Sequence, residues 1–138
     1  RRLKTLALDM ENCFAQVAVE ACYRHGEAWL NELLVYLEEN VGMMSEFLAQ
    51  ELPEIKMIRP EGTYLAWLDC REISSDPSVW KEIMYSRARV AFHNGTIFGR
   101  EGAGFLRVNF GCPRSLLREG LERFARAVRE YRQSFSQK

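Results

Sequence analysis

Residues 104–113 read G-F-L-R-V-N-F-G-C-P and carry the strongest structural signal in the chain. Successive side chains of a strand point to opposite sides of the sheet, so this run has two different faces. One face is apolar and consists of Leu106, Val108 and Phe110. The other consists of Phe105, Arg107 and Asn109. We therefore expect a strand that packs one face on a core and presents a guanidinium and an amide on the other.

Arg107 is the candidate site residue that this pattern singles out. A charge set among aromatic residues is rarely left without a partner, and the planar fork of arginine suits a carboxylate or a phosphate. A glycine-rich segment precedes the strand, a proline-started helix follows it, and Asn109 shares the face of Arg107. From the residues alone, ligand binding and an internal ion pair both remain open for Arg107.

Composition limits the classes of function. The 138 residues suit a single domain, with 47% hydrophobic and 28% charged residues, and 19 basic side chains balance 19 acidic ones. Bulk charge therefore gives no attraction to nucleic acid. The arginines that cluster late in the chain alternate with glutamates, which predicts a solvated helix face; they are Arg114, Arg118, Arg123, Arg126, Arg129 and Arg132.

The four cysteines form no C-x-x-C pair and have no histidine at ligand spacing, so no metal site is expected; they are Cys13, Cys22, Cys70 and Cys112. We find no signal peptide and no apolar run of membrane-spanning length. The expected location is cytoplasmic, with reduced thiols and no membrane partner.

Hydrophobic periodicity predicts two helices in the first half of the chain. Small and apolar residues recur at helical spacing over residues 11–23, and His25 and Gly26 interrupt them. A second stripe extends over Glu27–Glu51 and would be on the order of 35 Å long; it comprises Leu30, Leu33, Leu34, Leu37, Val41, Met44 and Leu48. Such a long helix is typical of one that crosses a whole core or connects two lobes. With no methionine at the start, the chain looks like part of a longer protein.

The second half predicts a small antiparallel sheet covered by helices. Residues 55–58 and 63–70 form a hairpin through a type I turn at 59–62, and 63–70, apolar on both faces, is expected at the sheet centre, covered on both sides. Asp76 and Pro77 start a helix whose stripe includes Val79, Trp80, Ile83 and Met84. Residues 89–92 are predicted as a short edge strand, 105–110 as a further strand and 113–131 as the last helix. The fold class is an α/β (α+β) sandwich.

Other candidate residues have simpler interpretations. The glycines Gly99, Gly102 and Gly104 precede a strand rather than a helix, so they predict a mobile or tightly turned loop with positive φ and not a dinucleotide fingerprint. His25 and His93 are expected in loops, without a nucleophile at a suitable spacing. Asp69 could act as an acid, but it is expected to cap a turn or to pair with a nearby arginine such as Arg71. Trp67 and Trp80 are expected in the core.

Three blocks of the sequence resemble the C-terminal third of fold-type I pyridoxal-phosphate enzymes. They read E-A-C-Y-R-H-G-E-A-W-L-N-E-L-L-V-Y-L-E-E-N, P-E-G-T-Y-L-A-W-L-D-C-R and F-G-R-E-G-A-G-F-L-R-V-N-F-G-C-P-R-S-L-L, in the order of the family. The chain is most similar to the cystathionine β-lyase, or C-S lyase, branch of the class I/II aminotransferases.

This resemblance implies that Arg107 binds the α-carboxylate of an amino-acid substrate. It further implies that residues 1–26 are a remnant of the large cofactor domain and that residues 27–138 are the small C-terminal domain, including the interdomain helix. The parent would be a homodimeric enzyme, a lyase or aminotransferase, that holds pyridoxal 5'-phosphate on a lysine of the large domain. The lysines of this chain are Lys4, Lys56, Lys81 and Lys138, and none lies in the expected serine-lysine context.

Without that lysine, the fragment itself is expected to be inactive, with no catalytic and no cofactor-binding residue. The alternative is a free-standing α/β module that binds a small ligand or a partner without catalysis and keeps Arg107 in an internal ion pair.

Overall fold

The computed structural model describes residues 12–136, and the elements follow the order expected from the sequence. The helices are α1 (Cys13–His25), α2 (Glu27–Glu51), α3 (Pro77–Lys81) and α4 (Arg114–Ser136). The strands are β1 (Lys56–Ile58), β2 (Leu65–Asp69), β3 (His93–Asn94) and β4 (Phe105–Asn109). A π-helix (Glu82–Ala88) continues α3, and two 3-10 helices (Gly95–Phe98 and Arg100–Gly102) precede β4.

The chain divides into two compact units within α2, the first ending at Tyr36 and the second beginning at Leu37. In the first unit, Asn12 caps α1 by accepting a hydrogen bond from the Phe14 N–H at 2.9 Å. No residue of α1 is buried, and Phe14 and Tyr23 are 80% and 89% exposed. Within the described residues, the apolar side chains of α1 therefore have no core to join.

The second unit is built on a four-stranded antiparallel sheet with the order β1-β2-β4-β3. The prediction of a central strand within residues 63–70 is confirmed, since β2 pairs with both β1 and β4. The reversal before it occupies residues 59–64, where Thr63 adopts a left-handed φ of 64°, so the strand begins at Leu65. The expectation that β2 is covered on both faces is not met among the described residues, because its side chains alternate between buried and half-buried.

Helices cover one face of this sheet and form the core with it, as the predicted α/β sandwich requires. The predicted apolar face of β4 is fully packed: Leu106, Val108 and Phe110 are at most 1% exposed. The core also takes side chains from α2, from α3 and its π-helix, and from α4; they include Val41, Met44, Leu48, Trp80, Ile83, Met84, Leu117, Leu121, Phe124, Ala125 and Val128. Leu30 and Leu34, by contrast, are 48% and 54% exposed.

The predicted helix start at residues 76–77 is confirmed. The Asp76 carboxylate caps α3 by accepting from the Ser78 N–H at 2.8 Å, and Pro77 occupies the first helical position. Trp80 is fully buried, as predicted, and its indole N–H donates to the Ser74 carbonyl at 2.8 Å. The one hydrogen-bond donor of this side chain is therefore satisfied inside the core.

The prediction of a strand at residues 89–92 is wrong. Arg89 adopts a left-handed φ of 53° at the end of the π-helix, and the Val90 N–H donates back to the Met84 carbonyl at 2.9 Å. These residues therefore close the helix and do not pair. The edge strand starts at His93, which lies opposite Arg107 on β4.

Candidate functional site

Arg107 lies on the sheet face that the helices do not cover. We call this side the open face; it carries Ile58, Leu65, Trp67, Asp69, His93, Phe105, Arg107 and Asn109, all half-buried or exposed among residues 12–136. Residues directly opposite in an antiparallel pair share a face. Register therefore places Arg107 between Trp67 of β2 and His93 of β3, in one row across the sheet.

The guanidinium of Arg107 is framed by two ring side chains. Its Cζ lies 4.3 Å from the ring centroid of Phe98, in a cation–π contact. One terminal nitrogen, Nη2, lies 3.4 Å from His93 Nδ1. The Nε atom of Arg107 is buried and has no hydrogen-bond partner within the described part of the chain. No carboxylate of residues 12–136 forms a salt bridge with Arg107.

The aromatic surroundings of Arg107 come from the open face and from the 3-10 helix above it. Trp67 stacks on Phe105 with ring centroids 5.7 Å apart, and it meets Phe98 edge-on at 5.8 Å. Trp67 is half-buried here, so the expectation that it belongs to the core is wrong, whereas the same expectation for Trp80 is confirmed. The guanidinium of Arg107 therefore lies beside a cluster of aromatic rings, Trp67, Phe98 and Phe105, which is partly exposed to solvent.

The glycine-rich segment before β4 holds Phe98 in place. Asn94 caps the 3-10 helix by accepting from the Thr96 N–H at 3.2 Å. A Cβ on Gly95 would come within 2.2 Å of the Gly102 carbonyl, so the two backbones touch where only glycine fits. Gly99 adopts a φ of 141°, which L-residues rarely adopt. The predicted tightly turned loop is confirmed, and its turn is what carries Phe98 over the sheet.

Asp69 and Arg71 form the ion pair that the sequence predicts. Arg71 donates from Nε to Oδ1 at 2.9 Å and from Nη2 to Oδ2 at 2.7 Å. This hydrogen bonding holds the pKa of the Asp69 carboxyl below its usual value and raises the pKa of Arg71. Arg71 is therefore paired, whereas Arg107 on β4 has no carboxylate partner within residues 12–136.

Asn40, which sequence reasoning missed, ties α2 to the end of β4. Its side chain is fully buried and its Nδ2 donates to the carbonyls of Phe110 and Cys112, at 3.0 and 3.1 Å. Its Oδ1 accepts from Arg114 Nε at 3.0 Å. The only signal for it in the sequence was a polar residue next to the apolar stripe of α2, directly before Val41.

The second residue that the sequence analysis missed is His93. It was expected in a loop, but it lies in β3 beside Arg107. His25, also expected in a loop, is the last residue of α1.

The described residues offer little else for chemistry. They contain no group of three or more side chains that could hold a metal ion. Burial raises the pKa of the Cys70 thiol and, to a smaller extent, that of Cys112, so neither is activated as a thiolate. Lys56 forms an ion pair with Glu72 on the surface. None of the helices in residues 12–136 has the length and apolar character needed to cross a membrane.

Comparison with known proteins gives a consistent group of relatives. The chain is 38% identical to cystathionine beta-lyase PatB of Bacillus subtilis over 85% of its own length, and 35% identical to protein MalY of Escherichia coli over 91%. Its structure superimposes on cystalysin from Treponema denticola, which contains pyridoxal 5'-phosphate, with a TM-score of 0.83 and 34% identity over 87% of this chain. No protein-family model matches the chain.

The matches cover most of this chain but a minor part of each relative. The matched part is 30% of PatB, 32% of MalY and 30% of the cystalysin chain. The chain thus spans about a third of the length of the proteins that it resembles.

Proposed function

The chain belongs to the fold-type I pyridoxal-phosphate enzymes, where it matches the C-terminal region of cystathionine β-lyases and related aminotransferases, and we propose that it supplies the arginine that binds the substrate carboxylate. The substrate class is an amino acid, and Arg107 holds its α-carboxylate. The parent enzyme is a C-S β-lyase or an aminotransferase.

One observation carries this proposal: Arg107 presents a guanidinium on the open face with no carboxylate partner among the described residues. A guanidinium beside aromatic rings, with its Nε buried and unpaired, gains most from an anion that can accept two parallel N–H bonds. A carboxylate has that geometry. The alternative, a free-standing module with Arg107 in an internal ion pair, requires an acidic partner that residues 12–136 do not provide.

Neither lysine of residues 12–136 fits the role of cofactor anchor, and Lys4 and Lys138 lie outside the described residues. A lysine that anchors the cofactor must stand free in the site, but Lys56 pairs with Glu72 and Lys81 lies exposed in the last turn of α3. We propose that the rest of a longer polypeptide holds the cofactor. In that protein, residues 1–26 belong to the large domain and residues 27–138 form the small domain, within a cytoplasmic homodimer.

The test is substitution of Arg107 in the full-length enzyme. Removal of one side of a desolvated charge pair typically costs about 2–5 kcal/mol, so Arg107→Ala should lower kcat/KM by roughly two to three orders of magnitude. Arg107→Lys should restore only part, because an ammonium cannot reproduce the bidentate fork. Arg118→Ala, an exposed arginine of α4, is the matched control and should leave kcat/KM unchanged. Wild-type kcat/KM in Arg107→Ala would refute the assignment.

A further inference from the structure

We propose that His93 and Phe98 are positioning residues for Arg107, which hold its guanidinium in one orientation so that a carboxylate binds at its free edge. This inference rests on the proposed function of Arg107 and deepens it. The two residues come from the segment between the π-helix and β4, His93 from strand β3 and Phe98 from the 3-10 helix that follows it.

Phe98 restricts one face of the guanidinium. With the Arg107 Cζ 4.3 Å from its ring centroid, the ring stands against the cation and blocks approach from that side. The N–H groups of a guanidinium point outward in its own plane, and those directed away from the Phe98 ring remain available to an anion. Phe98 therefore limits a carboxylate to the remaining donor edge, where it can accept two hydrogen bonds.

His93 restricts rotation of the same group. Nδ1 of His93 lies 3.4 Å from Arg107 Nη2, and arginine can only donate. The contact is therefore favourable when Nδ1 carries no proton and accepts. At this distance the bond is weak, but it joins directly opposite residues of β3 and β4 and so fixes the side on which Nη2 lies.

The loop has the rigidity that this role requires. Phe98 is 50% exposed, so burial of apolar surface is only part of the reason for its position. It follows the close backbone contact at Gly95 and precedes the left-handed Gly99, and its ring also meets Trp67. The side-chain amide of Asn94 donates to the Pro77 carbonyl at 3.2 Å, which attaches the loop to α3. A phenylalanine fixed in this way limits the freedom of Arg107 before any ligand arrives, which lowers the entropic cost of binding.

The experiment uses equilibrium binding to the full-length holoenzyme, measured by calorimetry with two probes of nearly the same shape. 2-Aminoisobutyrate carries the carboxylate but has no α-proton to lose, and 2-aminoisobutyramide replaces the carboxylate with a neutral amide. The variants are Phe98→Ala, His93→Leu and His93→Gln, in which the glutamine carbonyl can still accept from Arg107. The matched control is Ile97→Ala, since Ile97 is an exposed apolar neighbour of Phe98 in the same 3-10 helix.

We expect Phe98→Ala and His93→Leu each to raise the Kd of 2-aminoisobutyrate about two- to five-fold and to leave the Kd of the amide unchanged. His93→Gln should recover part of the loss. In steady state, the KM of a carboxylate substrate should rise more than kcat falls. A purely structural role would weaken both probes equally, and that result would overturn the inference.

Two further results would also overturn the inference. One is wild-type affinity for 2-aminoisobutyrate in both Phe98→Ala and His93→Leu, and the other is a loss of affinity in Ile97→Ala equal to that in Phe98→Ala. Arg107→Ala is measured alongside, so that failure of the proposed function is seen separately. If Arg107→Ala keeps wild-type affinity for 2-aminoisobutyrate, the carboxylate site itself is wrong. If Arg107→Ala loses affinity while the His93 and Phe98 variants do not, only the positioning role fails.

Discussion

Replacement of Asn40 should destabilise the fold through hydrogen bonds and not through packing. Its amide donates to the carbonyls of Phe110 and Cys112, and its carbonyl accepts from Arg114. In Asn40→Leu, which fills a similar volume, all three bonds are lost and the Phe110 carbonyl is left buried and unpaired. The bonds to Cys112 and Arg114 are only partly buried, so water can replace them and the buried bond to Phe110 dominates the loss. That bond contributes about 1 kcal/mol and its unsatisfied acceptor costs about 1–3 kcal/mol, so we expect a loss of about 2–4 kcal/mol in the free energy of unfolding.

Asn40→Asp separates hydrogen bonding from shape. The carboxylate has nearly the same outline and can still accept from Arg114, but it cannot donate to the two backbone carbonyls and places oxygen against oxygen. It should therefore be destabilised although no volume is lost. Asn31→Ala is the matched control, because Asn31 is an exposed asparagine of the same helix and its loss should change stability by less than about 0.5 kcal/mol.

The assay is urea denaturation of the chain, followed by circular dichroism, with the midpoint and the slope compared between variants. A lower midpoint at constant slope reports a change in stability alone. Amide hydrogen exchange at Phe110, whose N–H donates to the Tyr64 carbonyl at 3.0 Å, should accelerate as the end of β4 loosens. If Asn40→Leu unfolds at the wild-type midpoint, the amide does not anchor β4 and the reasoning is refuted.

Two other residues lead to further predictions. Arg71 holds the pKa of Asp69 below its unfolded value, so the ion pair contributes stability above the unfolded pKa and loses it as pH falls through the lower folded pKa. Urea midpoints of wild type and Asp69→Asn should therefore differ at neutral pH and converge in strong acid, and a constant difference would contradict this linkage. Gly102→Ala would place a Cβ within 2.1 Å of the Gly95 carbonyl, so the loop must move. In the full-length enzyme it should raise the Kd of 2-aminoisobutyrate at least as much as Phe98→Ala; unchanged affinity would show that the loop tolerates the shift.

The sequence predicted well those elements whose signals are local. Alternation in residues 105–110 predicted which side chains of β4 are buried, and the cap at Asp76 with Pro77 predicted where α3 begins. The ion pair of Asp69 with Arg71 needs only two residues of separation and was also predicted correctly. In each case the determining contacts lie within one element or one turn.

Predictions failed where the contact that decides the structure leaves no recognisable pattern in the sequence around the residue. The residues predicted as the third strand continue instead into a left-handed turn at Arg89, because the π-helix lengthens the preceding helix and draws Val90 back to Met84. The role of Asn40 depends on carbonyls about seventy residues away, which no local pattern reveals. His93 was expected in a loop because its only signal was the following Asn94 and Gly95, whereas pairing with β4 places it beside Arg107.

Arg71 and Arg107 differ in whether a carboxylate completes their donor set, and the binding role proposed for Arg107 rests on this difference. Both lie near Phe105 or Phe98 with a cation over a ring, at 4.7 and 4.3 Å. For Arg71 a nearby carboxylate completes the donor set, so a solute anion would have to displace Asp69. For Arg107 the neighbours are a phenyl ring and an imidazole, and its Nε is buried without an acceptor among residues 12–136. A buried unpaired donor costs free energy in the unliganded protein, and an entering carboxylate needs no competing anion to leave. The opposite face of β4 is densely packed, and this packing stabilises the strand against the free-energy cost of the unpaired Nε. The open face can therefore present the Arg107 guanidinium before a ligand binds.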